Sequence, residues 1–272
     1  MSLFFKKKNR KKIGLALGSG GFRGAAHVSI IKALVDNNIP IDFIAGSSIG
    51  ALIGAHYAIF KDVDRIVDDI FKEQDKKYRY LKDLSLKNGI LSGKAFERAF
   101  LKMFKGAEFK NTQIPLRVTA TDLISGQAYI FKKGDIAQAV RASISVPLAF
   151  KPLKYEDMLL IDGGVSKPVP DDIVKEMGAD IVISVNLYDN STMITKNPST
   201  SRILNRVIEI VLQDSFKANT KNSDIIISPD VSKYAETSIL KAYSNQKVFL
   251  EMMKEGEKEV KKVLPKIKKL IA

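Results

Sequence analysis

The chain has 272 residues, 45% of them hydrophobic and 27% charged, with two histidines and no cysteine. That balance excludes wholesale disorder, and the missing thiol excludes disulfides, thiolate metal sites and a cysteine nucleophile. The net charge of +14 gathers at the ends, since residues 6–12 carry six positive charges and residues 254–272 a net +4, and this argues against a broad nucleic-acid-binding face.

Ile13–Leu17 is a short apolar run that stops at glycines, so it reads as a buried strand behind a basic arm at residues 1–12. From Gly24 to Asn37, Ala26, Ile30, Ile31 and Leu34 recur at helical spacing, and Asn37-Asn38 supplies a stop. Ile41–Ala45 predicts a second strand and Ser48–Phe60 a second helix. Strand, helix, strand, helix is the signature of a parallel sheet covered by helices. Residues 62–105 read as a mostly helical, polar insertion over the sheet. Leu116–Thr121 and Gln127–Phe131 flank Ser125-Gly126 as a hairpin. Ile136–Ala142 predicts a short helix stopped near Pro147, Met158–Ile161 a strand, and Asp180–Leu187 a near-continuous apolar strand. Arg202–Phe216 is amphipathic, Ile225–Ile227 is a last short strand, and residues 236–270 are helical in pattern but interrupted by Pro265. No repeat is visible, and nothing in the loop Asp189–Ser201 marks a boundary. One domain with local insertions is expected.

No segment reaches the ~18–20 apolar residues a membrane span requires. The five apolar residues Ile13–Leu17 also fall short of a signal-peptide core. With no cysteine, a reducing, cytoplasmic setting is expected. The basic ends are compatible with peripheral contact at an anionic membrane surface, and equally with solvated lysines.

Three motifs carry chemistry. Gly46-Ser47-Ser48-Ile49-Gly50 is G-x-S-x-G between a predicted strand and a predicted helix, the context of a nucleophile elbow. Gly46 and Gly50 let the backbone pass close to its neighbours, and the helix N-terminus lends its positive dipole end to charge developing beside Ser48. Gly18-Ser19-Gly20-Gly21-Phe22-Arg23-Gly24 follows the first strand and exposes backbone amides as an anion cradle, for a phosphate or for an oxyanion. It fits neither the dinucleotide fingerprint nor a P-loop. Arg23 either docks this loop or holds it through carbonyls. Asp162-Gly163-Gly164 ends a strand, on the rim where α/β folds place ligands. No histidine follows His56, so a triad in the order Ser, Asp, His is impossible. His27 and His56 read as helix-packing residues. The economical base for Ser48 is Asp162 itself.

These motifs, with Ala142-Ser143-Ile144-Ser145-Val146-Pro147 and the stretch Arg23–His27, resemble in order the pattern of bacterial patatin-like phospholipases over about residues 13–230. Ser19 stands where many members have a glycine, and Gly164 where many have alanine. The resemblance implies a three-layer α/β/α fold with a mostly parallel sheet. A catalytic domain at 13–235 is expected, followed by a basic helical segment at 236–272 packed on it or extending it, and the resemblance does not reach the terminal arms. It further implies a serine acyl hydrolase that needs no metal or other cofactor and acts on acyl esters of lipids. By carry-over Ser48 is the nucleophile and Asp162 the base. Backbone amides of Gly20, Gly21 and Ile49 form the oxyanion hole, with Arg23, Gly24, Gly46, Gly50, Gly163 and Gly164 in support. A catalytically silent lipid-binding or adaptor module and an acyltransferase are the alternatives. Segments 201–216 and 259–271 could touch lipid, line an acyl groove, close a dimer or pack on the core, and the insertion 62–105 could be a lid.

Overall fold

The structure, a computed structural model, describes residues 10–74, 84–85, 90–188, 200–218, 220–234 and 245–272. The expected N-terminal arm lies outside them except for residues 10–12. So do the loop from 189 to 199, part of the insertion, and residues 235–244.

The first two expected strands form, as β1 (Ile13–Leu17) and β2 (Phe43–Ser47), each leading into a helix, α1 (Ala25–Asp36) and α2 (Ile49–Phe60). After them come α3 (Val63–Gln74), the two-residue strands β3 (Leu84–Ser85) and β4 (Ile90–Leu91), and α4 (Lys94–Met103). The hairpin is β5 (Leu116–Asp122) with β6 (Ala128–Phe131). Then follow α5 (Ile136–Ser143), β7 (Leu153–Tyr155), β8 (Met158–Ile161), α6 (Asp171–Glu176), β9 (Ile181–Val185), α7 (Thr200–Ala218), β10 (Ile225–Ile227) and α8 (Gln246–Ile271).

Five strands, β10, β9, β1, β2 and β5, pair in parallel in that order, and β6, β7 and β8 add antiparallel pairings to make an eight-stranded sheet. β1 and β9 are buried throughout, as continuous apolar strands covered on both faces must be. On one face, Ile13, Leu15 and Leu17 join α1, α2, α3 and α8 in the larger core. On the other, Ala16 and Ala45 meet α6 and Leu212 and Phe216 of α7. This is the three-layer α/β/α arrangement.

One edge of β5 sets the functional geometry. β2 pairs with residues 116–119 of β5 and β6 with residues 118–121, so the two flank it on opposite edges. Thr121 pairs with both Ala128 of β6 and Ile161 of β8. β8 therefore continues along the β2 edge, antiparallel to β5, and its end meets the end of β2 head to head. Asp162 reaches the rim beside Ser48 from the opposite direction, not at the end of a parallel strand as the sequence suggests.

The described part of the insertion holds α3 and α4 together with an antiparallel pair, β3 and β4, and a bridge from Leu91 to Phe150. One further expectation changes. Pro265 does not interrupt its helix: α8 runs through it. Pro265 is exposed, so water can meet the carbonyl it leaves unpaired, while buried Val260 and Ile267 clamp the helix on either side. α8 lies on α1, and a side chain at Gly256 would run into the Ala26 carbonyl and Ser29. That cover explains why α1 is apolar nearly all round, including Ala25, Ala26, Val28, Ile30, Ile31, Ala33 and Leu34.

The first described residues and the end of α8 meet at the other rim. The Lys11 ammonium donates to the Leu270 carbonyl (2.6 Å), favourable for a helix C-terminus, and Arg10 pairs with Asp42 (2.6 Å). Arg10, Lys11, Lys12 and the end of α8 thus gather at the start of β1, about 16 Å of strand away from Ser48.

Candidate active site

Ser48 sits between β2 and α2 with φ 53° and ψ −121°, a conformation that costs a non-glycine residue of order 1–3 kcal/mol. The turn is possible because its flanks are bare. A Cβ at Gly46 would press on the backbone of Gly50 and Ala51, and one at Gly50 on the carbonyls of Leu17 and Gly18. The Ser48 hydroxyl donates to Oδ2 of Asp162 at 2.6 Å, and both residues are buried.

Asp162 is held at every polar atom. Its Oδ1 accepts the Gly164 amide (2.8 Å), its amide donates to the Ser145 carbonyl (3.0 Å), and its carbonyl accepts the Thr121 hydroxyl (2.8 Å). Burial raises its pKa from 3.8 to about 6, against the opposing pull of the Ser48 and Gly164 hydrogen bonds. Gly163 backs onto Thr119 and Ser47, where no side chain fits, and Gly164 lies against the Ser19 hydroxyl.

The run 142–147 bridges both residues. The Ser143 hydroxyl accepts the Ser48 amide (2.8 Å), and the Ser145 carbonyl accepts that of Asp162. Arg141, fully buried, donates to the Ser145 hydroxyl (2.5 Å) and to the carbonyls of Gly93 (3.1 Å), Ser92 (2.8 Å) and Lys151 (3.2 Å). These roles had no sequence signal beyond the run itself.

The glycine loop lies against the elbow, with Gly24 packed on Ile49. Gly18 donates to Val185 and Ser19 to Pro168, and the Gly18 carbonyl accepts His27 Nε2 (2.8 Å). Burial lowers the His27 pKa to about 4, so the ring is neutral near pH 7 and Nε2 carries its proton. Gly20 packs against Leu187 and Gly21 has φ +55°. Among the described residues no acceptor meets the Gly20 or Gly21 amide, and the Ile49 amide is one of those a helix start leaves free. Of the two readings of Arg23, the structure shows docking. Its Nη2 donates to Glu209 of α7 (2.8 Å), with the guanidinium 4.6 Å from the Tyr188 ring centroid. Glu209 escaped the sequence reading, although a lone carboxylate in the apolar run Val207–Leu212 is the kind of signal a buried ion pair leaves.

His56 lies apart, its Nε2 3.0 Å from Asp69 and its ring edge-on to Phe60, and burial lowers its pKa. Among the described residues no cluster of three or more His, Asp or Glu is placed to hold a metal ion, and no helix is long and apolar enough to cross a membrane.

This arrangement defines a class. A buried serine sits on a strand-to-helix turn with a carboxylate as its direct partner and a glycine loop with free amides alongside, all within a three-layer α/β/α fold. The patatin-like phospholipase family matches residues 15–174, and the chain belongs to that family. An uncharacterized NTE family protein of Mycobacterium bovis is 32% identical over 201 residues, covering 72% of this chain and 56% of the relative. Patatin-like phospholipase domain-containing protein 6 of Homo sapiens is 30% identical over 197 residues, covering 70% of this chain and 14% of that protein. This chain therefore spans about half the length of the mycobacterial relative and far less of the human one. Among solved structures, VipD from Legionella pneumophila superposes with a TM-score of 0.55 at 14% identity, over 95% of this chain and 67% of that one, which shows the shared fold.

Proposed function

We propose that the protein is a serine acyl hydrolase that cleaves carboxylic ester bonds of acyl lipids through an acyl-serine intermediate. Family membership supports the lipid class, and a lysophospholipase of Aspergillus fumigatus is 32% identical over 181 residues, 65% of this chain and 12% of that protein. The observation that carries the mechanism is the 2.6 Å hydrogen bond from Ser48 to a carboxylate whose pKa burial has raised.

In this reading Asp162 takes the Ser48 proton as Oγ attacks the ester carbonyl. The tetrahedral oxyanion is met by the amides of Gly20, Gly21 and Ile49 at the start of α2. Collapse breaks the ester C–O bond, and Asp162 returns its proton to the leaving alcohol. Water, deprotonated by Asp162, then attacks acyl-Ser48 and releases a fatty acid and the free serine.

Lipid approaches over the dyad rim, where Leu148 and Val165 stand exposed on segments that flank Ser145 and Asp162. Contact of Arg10–Lys12 and the end of α8 with an anionic surface would occur at the opposite rim.

The test is intact-protein mass after incubation with a fluorophosphonate. One adduct is expected on the wild type and none on folded Ser48→Ala. A folded wild-type protein that takes no adduct, with or without anionic vesicles, would overturn the reading and leave a binding module on this fold.

A further inference from the structure

The glycine loop hangs between two anchors. At one end the Gly18 and Ser19 amides bond to Val185 and Pro168, and His27 holds the Gly18 carbonyl. At the other end is Arg23, whose amide bonds to Gly20 but whose side chain leaves the loop altogether. Between them lie Gly20 and Gly21, without side chains to stiffen the path, and Phe22.

The receiving end is built on α7, beyond the stretch that matches the family. Glu209 is 8% exposed and Arg23 3%. One carboxylate oxygen of Glu209 takes Arg23 and the other takes Arg206 (3.3 Å). Tyr188, under the guanidinium, is itself tied to α7: its carbonyl accepts Gln213 (2.9 Å), and its ring lies 5.3 Å from that of Phe216. A buried cation is tolerated only with such a partner, and a partner in a fixed place fixes the cation.

We propose that Glu209 is a positioning residue of the acyl-transfer site. Through Arg23 it sets the path of residues 20–22, so α7 completes the oxyanion-binding loop from outside the motif region. The proposal rests on the hydrolase reading for its kinetic consequence, but not for its structural one. Removing the carboxylate releases the far anchor, and the loop amides no longer converge on the place where the oxyanion forms.

Two measurements on the full chain test this. The first is independent of activity: hydrogen exchange of the peptide containing residues 18–24. The Arg23 amide, bonded to the Gly20 carbonyl, exchanges faster in Glu209→Gln and at the native rate in Leu212→Ala, which loosens α7 while keeping both members of the pair. Native exchange in Glu209→Gln, or equal acceleration in both variants, overturns the proposal whether or not the wild type is an enzyme.

The second is the rate of fluorophosphonate labelling. Glu209→Gln slows it at least ~10-fold, since displacing a reacting geometry by about 1 Å can cost ~100-fold. With an ester substrate, kcat falls while KM stays within about threefold, the pattern of a lost transition-state interaction. Arg23→Gln behaves alike, and the double variant, which leaves neither member of the Arg23–Glu209 pair facing an absent partner and keeps the test open if a single variant fails to fold, is no slower than either single one. Costs that multiply in the double variant overturn the coupling. An unlabelled wild type whose loop responds to Glu209→Gln would sink the hydrolase reading and leave the anchor standing.

Discussion

Asp162 gives the sharpest prediction, because its environment moves activity and stability in opposite directions. Its carboxyl ionises at about 6 in the folded protein and near 3.8 in the unfolded chain, the difference arising from burial. Between those values the folded state still holds the proton that the unfolded state has lost. Raising the pH therefore favours unfolding, and the full cost is reached once the pH exceeds the folded value. A shift of about two units at 1.36 kcal/mol per unit amounts to ~3 kcal/mol. Asp162→Asn removes this titration. The stability gap between Asp162→Asn and the wild type, measured by urea unfolding at each pH, should widen by up to ~3 kcal/mol in favour of the variant between pH 4 and pH 7.5. Groups common to both proteins cancel in the gap. Activity runs the other way: wild-type labelling rises about tenfold per pH unit below 6 and levels above it, and Asp162→Asn loses a factor of ~100–10,000 on that plateau, a gap that narrows as the pH falls below 6. A gap that stays flat across this range would refute the argument, since a carboxyl with an ordinary pKa could not be the buried partner described above.

Ser143→Ala leaves the Ser48 amide without its acceptor, a loss of about 1–3 kcal/mol, and should slow labelling of a protein that still unfolds cooperatively; an unchanged rate would show that the elbow holds itself. His56→Gln should label within a few-fold of wild type, and an inert but folded His56→Gln protein would return the base to a histidine. Gly256→Ala should destabilise by about 1–3 kcal/mol in urea, because the added carbon meets the Ala26 carbonyl at 2.6 Å; a neutral result would mean that α8 does not seat on α1.

Much of the fold is legible because its strands are short, apolar and bounded by glycine or proline. β8 and β10 coincide with their sequence expectations, and β1 follows from five apolar residues before a glycine loop. Gly46–Gly50 is legible for a different reason: only small residues let that turn pass Leu17 and Ala51, so the packing is written in the motif. Pairing direction is not written there. Nothing in Met158–Ile161 says that the strand runs antiparallel along the edge β2 vacates, because four apolar residues look the same either way. Pro265 misleads because propensity is a local property, whereas α8 is held by Val260 and Ile267, buried on either side of the proline. The bridging serines and Glu209 were hidden for a third reason: hydrogen bonds across 95 and 186 residues leave no periodicity.

On the dyad reading, the head-to-head meeting of β2 and β8 also bears on why a histidine would not be needed. A relay through imidazole needs the width of a ring between hydroxyl and carboxylate, and here the oxygens stand 2.6 Å apart. A direct carboxylate partner with an ordinary pKa near 3.8 would be a weak base at neutral pH. Burial brings it to about 6, closer to where a general base works best. The same burial would expel an unsupported carboxylate, so the cost has to be met locally. The Gly164 amide and the Ser48 hydroxyl stabilise the charge, while Ser145 and Thr121 fix the backbone that carries it. On the dyad reading, the glycines after Asp162 serve the base as directly as Gly46 and Gly50 serve the serine: a side chain at Gly163 would strike Thr119, and one at Gly164 would displace Ser19 from the wall of the site.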